Sequence, residues 1–390
     1  MTGKKASWTA AGAARLALDA RIAAVRYMTG AQIERDWYAR MLEHGHQVRA
    51  ASGNPVAARA LQFATMGYEA APPRWIEASA IILADELRHL AAADLYVLSP
   101  QMLDVVVAAA QTLTFEDLSL LTAEDLPSPT GALLLPRPLV IRLPNGGRQE
   151  DLAYTWRSPA RIPLPPGLDF ELPGLPAVRM SSYQSARRAR RRDFTVAARQ
   201  QGIVLPPVLL DNVWAVPVHP AGPAQARDCA RLAGQMRRLN GDYWRGEASR
   251  TALAEAAGET SGQYLSGEPV DEDPDGTFAS RFLYAFWRLC QQEIALPERR
   301  EPNHSSQVIA ARAGVAADVR VVTLRRRSSA RPAGQAGPHE WHHQWPVRMH
   351  PVHQYFPSLG QHKVIYRGPY IKGPADKPMI GGQVVRGLVK

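Results

Sequence analysis

Cysteine is the scarcest residue of this 390-residue chain and lysine is also rare: it has two Cys, Cys229 and Cys290, and six Lys. Two cysteines cannot build a disulfide framework or a cysteine zinc cluster, which fits a reducing cytoplasm. No apolar run reaches the ~18–20 residues that a membrane span requires, so no membrane partner is expected. The start Met1-Thr-Gly-Lys-Lys-Ala is basic, but Arg15, Asp19 and Arg21 interrupt the next stretch, so it reads poorly as an export signal. No long internal repeat is present. The shortage of lysine leaves arginine to supply nearly all of the 46 basic residues, and with the abundant Ala and Pro this suggests GC-rich codon usage.

Hydrophobic residues at 46% and charged residues at 21% are globular values that exclude wholesale disorder. The formal charge of +10 is unevenly placed. Residues 303–390 hold 13 Lys/Arg against 3 Asp/Glu, whereas residues 1–302 balance at 33 and 33. Six of the eleven histidines (His339, His342, His343, His350, His353 and His362) fall within the 24-residue stretch 339–362. A basic, His-rich end on a neutral body points to an anionic partner, with nucleic acid first among the classes.

The patterning predicts an α+β protein in three segments. Residues 1–125 read as an N-terminal helical bundle, with Leu18, Ile22 and Val25 on one face, and Leu83, Leu87 and Leu90 on another. Residues 126–276 form a Pro-rich mixed region. In it, Leu133–Arg142 reads as a strand, Asn145-Gly146 as a hairpin turn, and Asp151–Trp156 as the return. Leu205–Leu210 and Val213–Val218 read as a second strand pair, 221–258 as helix, and 268–276 as an acidic loop. In residues 277–390, Phe278, Phe282, Phe286 and Leu289 mark an apolar helix face. Asp318–Arg326, a strand through Trp341–His350, and Lys363–Tyr366 then build the basic sheet. The sheets are expected to be mixed and largely antiparallel.

This terminal cassette carries the candidate chemistry. On one continuous strand, Trp341, Trp345, Val347 and Met349 share a face, with His342, Gln344, Arg348 and His350 on the other. His342 and His350 would then lie roughly 26 Å apart, too far to be the acid and base of one reaction. Arg348 and His350, only ~7 Å apart, could share a phosphate. His350, Arg348 and His353 are therefore the candidate catalytic groups, because a His titrates near ~6.5 and serves as acid or base. His342, Gln344, Gln354, His362, Lys363, Arg367 and Lys372 are candidate nucleic-acid contacts, Tyr355 and Phe356 candidate stacking groups, and Trp341 and Trp345 core.

Other patterns are weaker. The run Arg187-Arg-Ala-Arg-Arg-Arg192 offers Arg187, Arg188 and Arg191 as accessory phosphate contacts, or else an exposed basic loop. His339-x-x-His342 and His350-x-x-His353 are close enough to chelate zinc, but i and i+3 on a strand face opposite ways. Glu43-x-x-His46 and Glu86-x-x-His89 match the pair used in di-iron bundles, but the first helix supplies no further Glu, so ordinary surface positions are expected. No metal and no cofactor is expected.

The segment Val347-Arg-Met-His-Pro-Val-His-Gln-Tyr-Phe-Pro-Ser-Leu-Gly-Gln-His-Lys, continuing to Pro369-Tyr-Ile-Lys-Gly-Pro374, resembles the C-terminal signature of phage and plasmid proteins from high-GC bacteria. Leu126–Gly131 with Pro138-Leu139 resembles a second shared segment. More distantly, the arrangement is similar to a phage anti-CRISPR family that lowers the mRNA of a type V-A CRISPR nuclease. The matching positions are Arg348, His350, Gln354, Pro357, Ser358, His362, Lys372 and Gly373, while Pro351 and Val352 replace a Trp and an Arg of the signature. The resemblance implies a mobile-element origin and a role linked to RNA or ribosome-associated nucleic acid. The combined expectation is an RNA-binding protein. A metal-independent ribonuclease and a His-ligated metalloenzyme are the alternatives.

Overall fold

The computed structural model describes residues 8–29, 32–50, 55–70, 72–142, 148–162, 175–186, 192–218, 271–272, 276–324, 342–356 and 360–373. Eight α-helices and twelve strands are formed among them. The helices are α1 (Ala10–Met28), α2 (Gln32–Ala50), α3 (Pro55–Thr65), α4 (Trp75–Ala92), α5 (Pro100–Thr112), α6 (Arg192–Gln200), α7 (Phe278–Cys290) and α8 (His304–Arg312). The strands are β1 (Asp94–Leu98), β2 (Thr130–Arg142), β3 (Arg148–Ile162), β4 (Leu175–Ser185), β5 (Val208–Pro217), β6 (Asp271–Glu272), β7 (Ala295–Arg300), β8 (Val319–Leu324), β9 (Trp345–Val347), β10 (His350–Phe356), β11 (Gln361–Arg367) and β12 (Tyr370–Lys372).

The class is α+β, with helices preceding a mixed sheet. That sheet has the strand order β5-β4-β3-β2-β1-β8-β7, and β6 pairs beside β2. Strand β1 runs parallel to β2 and to β8, while β2 through β5 and the β7–β8 pair are antiparallel. Strands from all three expected segments thus enter one sheet. The expectation of an all-helical segment up to residue 125 is corrected at 94–98, where β1 lies between two parallel strands. Its short run Leu95–Leu98 is buried on both faces, so it lacks the alternation that marks a half-exposed strand.

Period-two alternation sends side chains to two helical layers. Leu95, Val97, Ala132, Val319 and Val321 pack with α1 and α4, including Leu18, Ile22, Val25, Leu83 and Leu90. Tyr96, Leu98, Leu133, Leu135 and Val322 pack on the other side with α5 and α7, where Phe278, Phe282, Phe286 and Leu289 are fully enclosed. Helix starts follow local chemistry. Ser99 Oγ accepts from the Met102 amide at 3.1 Å with Pro100 at the first turn, and Asn303 Oδ1 accepts from the Ser306 amide at 2.9 Å.

Two further expectations change. Within 205–218 one strand forms rather than two, β5, where a register shift between Ser182 and Tyr183 of β4 absorbs Asp211 as a bulge. Trp341–His350 is not one strand: it breaks at Arg348–Met349 between β9 and β10. The turn at Asn145-Gly146, the helix at 221–258 and most of the acidic loop lie outside the described residues.

Gly131 marks the tightest point of the sheet. It pairs with Trp156 of β3, and a Cβ there would sit 1.9 Å from the indole. That indole donates to the Ser128 carbonyl at 2.9 Å and packs against Tyr96, Phe286 and Trp287 at 5.5–6.0 Å between ring centres. Gly131→Ala is expected to displace Trp156 and cost about 1–3 kcal/mol, as overpacking does. Urea denaturation measures this, and an unchanged midpoint would contradict it.

Candidate nucleic-acid interface

The C-terminal cassette is one β-ribbon in two segments. At its base, β9 and β12 pair through Trp345–Lys372, Pro346–Ile371 and Val347–Tyr370. Beyond the break, β10 and β11 pair from His350–Arg367 to Phe356–Gln361. Arg348-Met349 therefore lies across from Gly368-Pro369. The base packs on α5, and the outer strands pack chiefly on each other.

The break is held from inside. Met349 is buried in the core shared with α5 and α7. Gly368, at φ 101°, lets the chain pass so close that a Cβ would lie 3.1 Å from Met349 Cα. Helix α7 and the turn after it fix the return strand: Arg288 Nε donates to the Gly368 carbonyl at 3.3 Å and Gln292 Nε2 to the Pro369 carbonyl at 2.9 Å. Arg288 also donates to Asp125 at 2.7 Å.

This path sorts the expected site residues. Arg348 is exposed at the corner, and His350 Nδ1 lies 3.0 Å from the Arg348 carbonyl. Along the hairpin, His350 and Gln354 share a face with Arg367, whose Nη2 donates to Gln354 Oε1 at 2.9 Å. His353, Tyr355 and His362 occupy the opposite face. His350 and His353 are therefore not brought together. His342 is exposed, but Gln344 is buried, separating two residues that a continuous strand would place alike. Lys372 is exposed, with its ammonium 6.0 Å from the Trp345 ring centre. Lys363 is in β11 opposite Gln354. Arg187, Arg188, Arg191, Trp341, Pro357 and Ser358 lie outside the described residues.

A second polar cluster was not foreseen. Glu86 and His89, expected at the surface, are 1% and 5% exposed. They continue the inward stripe Ala78–Ile82–Asp85/Glu86–His89 of α4, and that continuation was the available signal. Glu86 accepts from the Ser181 and Tyr183 hydroxyls at 2.8 Å each and from Thr155 at 3.2 Å. Asp85 accepts two hydrogen bonds from Arg157, at 2.9 and 2.8 Å, and others from Arg179 and from Tyr68. Burial raises the Asp85 carboxyl, but Arg157 and Arg179 outweigh it and hold the group below the ordinary carboxylate range. Tyr183 is pushed well above the usual phenol range by burial and by Glu86. His89 Nε2 lies 2.7 Å from the Trp156 carbonyl, and burial lowers its titration against the pull of Glu86. The carboxylate oxygens that would be metal ligands or bases are committed to β3 and β4. Among the described residues, no group of three or more His, Cys, Asp or Glu is placed to hold a metal ion. The cluster clamps α4 to the sheet. Burial likewise pushes the Cys290 thiol up to about 12, which makes it a poor nucleophile at neutral pH.

A His lowered in the fold makes the unfolded chain the better proton acceptor, so stability falls as pH drops below the unfolded value near ~6.5. The loss reaches up to about 1.4 kcal/mol per pH unit until His89 itself protonates. Asp85 adds a second loss below ~3.9, as pH falls towards its depressed value. Urea midpoints at pH 7 and pH 5 are expected to differ less in His89→Gln than in wild type. An equal pH dependence would contradict the assignment.

No protein-family model, curated protein or solved structure matches the chain.

Proposed function

We propose that the chain is an RNA-binding protein of the cytoplasm that grips phosphate through its C-terminal ribbon. The mobile-element origin and mRNA-linked role implied by the resemblance fit this reading. One observation carries it. Arg348, Arg367 and Lys372 stand exposed along the terminal ribbon, in a segment, 341–375, that contains no Asp or Glu. Cations that meet phosphates release counterions from the polyanion, which makes affinity strongly salt-dependent. A two-stranded ribbon also suits nucleic-acid grooves and loops.

General acid–base cleavage needs two proton-transfer groups around one phosphate, and His350 and His353, on opposite faces of the hairpin, cannot be that pair. Among the described residues, no helix is long and apolar enough to cross a membrane.

Anisotropy of a labelled RNA over a salt series tests the proposal. Affinity is expected to fall steeply with salt. Arg348→Ala, Arg367→Ala and Lys372→Ala should each lower the slope of log affinity against log salt by about one. The RNA should remain intact with and without chelator. No binding at low salt, or slopes unchanged in all three variants, would contradict the reading.

A further inference from the structure

Resting on that reading, we infer that the ribbon recognises unpaired nucleotides, by stacking bases on the face that carries His353, Tyr355 and His362. The two faces of the β10–β11 hairpin differ in chemistry. One carries His350, Gln354 and Arg367, with Arg367 and Gln354 hydrogen-bonded to each other. The other presents planar rings. Tyr355 is paired across the strands with His362, their ring centres 5.1 Å apart and their planes inclined at 49°. His353 lies on the same face, two residues from Tyr355, or ~6.6 Å along the strand. All three side chains are exposed, and Tyr355 retains 51% of its surface.

The fold leaves about half of the Tyr355 surface uncovered. Its inclination to His362 leaves the ring open rather than closed in a face-to-face stack. Every base has a π-face, so such rings accept bases with little regard to sequence, and a stacking ring typically changes affinity by about tenfold or more when removed. Bases within a duplex are already stacked on one another and cannot reach a side-chain ring unless they are splayed out. The ring face therefore selects single strands, loops or bulges. The cations of Arg348, Arg367 and Lys372 serve single-stranded and duplex backbones alike.

The test uses the full chain with two probes, labelled oligouridine and a labelled RNA duplex of similar length. Circular dichroism checks that each variant is folded. Tyr355→Ala is expected to weaken oligouridine binding by about tenfold or more, with its salt slope unchanged, because stacking releases no counterions. Tyr355→Phe should restore the affinity, and neither change should alter duplex binding. Arg367→Ala should weaken both probes and lower both slopes. Equal losses on duplex and single strand for Tyr355→Ala, or no loss on oligouridine, would overturn the inference while leaving phosphate binding by the ribbon standing. If wild type binds neither probe at low salt, the RNA reading and this inference fall together.

Discussion

The side chain of Glu86 is almost sealed from water, and the hydroxyls of Thr155, Ser181 and Tyr183 converge on its carboxylate. An isolated charge at such depth is prohibitive, so the donors must come from the sheet or the helix cannot dock. Asp85, one residue earlier, meets Arg157 and Arg179 from the same two strands. Together they fix where α4 sits along β3 and β4. Breaking a buried pair of this kind typically costs about 3–5 kcal/mol. The order of the molecule then runs through contacts. His89 meets the Trp156 carbonyl, the Trp156 indole packs on α7, and α7 with its closing turn holds the ribbon at Gly368 and Pro369. A clamp on one face of the sheet thus supports a ribbon on the other.

Arginine plays two roles here. Outside, it helps to leave the terminal ribbon positive. Inside, it pairs with Asp85 and Asp125 and also satisfies backbone. Arg21 is buried and donates to the Leu90 and Ala91 carbonyls at 2.6 Å each and to Ala316 at 3.1 Å, closing the last turn of α4. Burial lowers its titration to about 10, which still leaves it charged at neutral pH. Arg281 does the same for the end of α5, donating to the Leu113 carbonyl at 3.2 Å. The planar fork of a guanidinium reaches two or three carbonyls at once, which an ammonium cannot do from one position.

The α+β class and the helices around Leu18–Val25 and Phe278–Leu289 were legible from regular apolar spacing, and the strands at 133–142 and 319–324 from short apolar runs. Strand β1 was hidden: buried on both faces and flanked by helices, it offers neither alternation nor turn residues. The clamp was hidden for a different reason. Asp85, Glu86 and His89 look like surface residues until Arg157, Arg179 and Tyr183 are known to lie opposite, and no local pattern states which strands a helix will cover. In the ribbon, residue content marked the region but not its shape. Met349 looked like one more apolar position on a strand. It is instead the buried peg at a break, which turns His350 into the start of a new segment. Exposed His342 and buried Gln344 part because His342 precedes the paired residues of the ribbon.

On this reading the helical layers and the sheet are support, and contact with nucleic acid occurs on the terminal ribbon. Photo-crosslinking the intact chain to RNA, with peptide mapping of the adducts, distinguishes the two parts of the molecule. Cross-links are predicted between residues 348 and 372, with Tyr355 among them. Cross-links confined to α1–α5, with none on the ribbon, would contradict this division of roles.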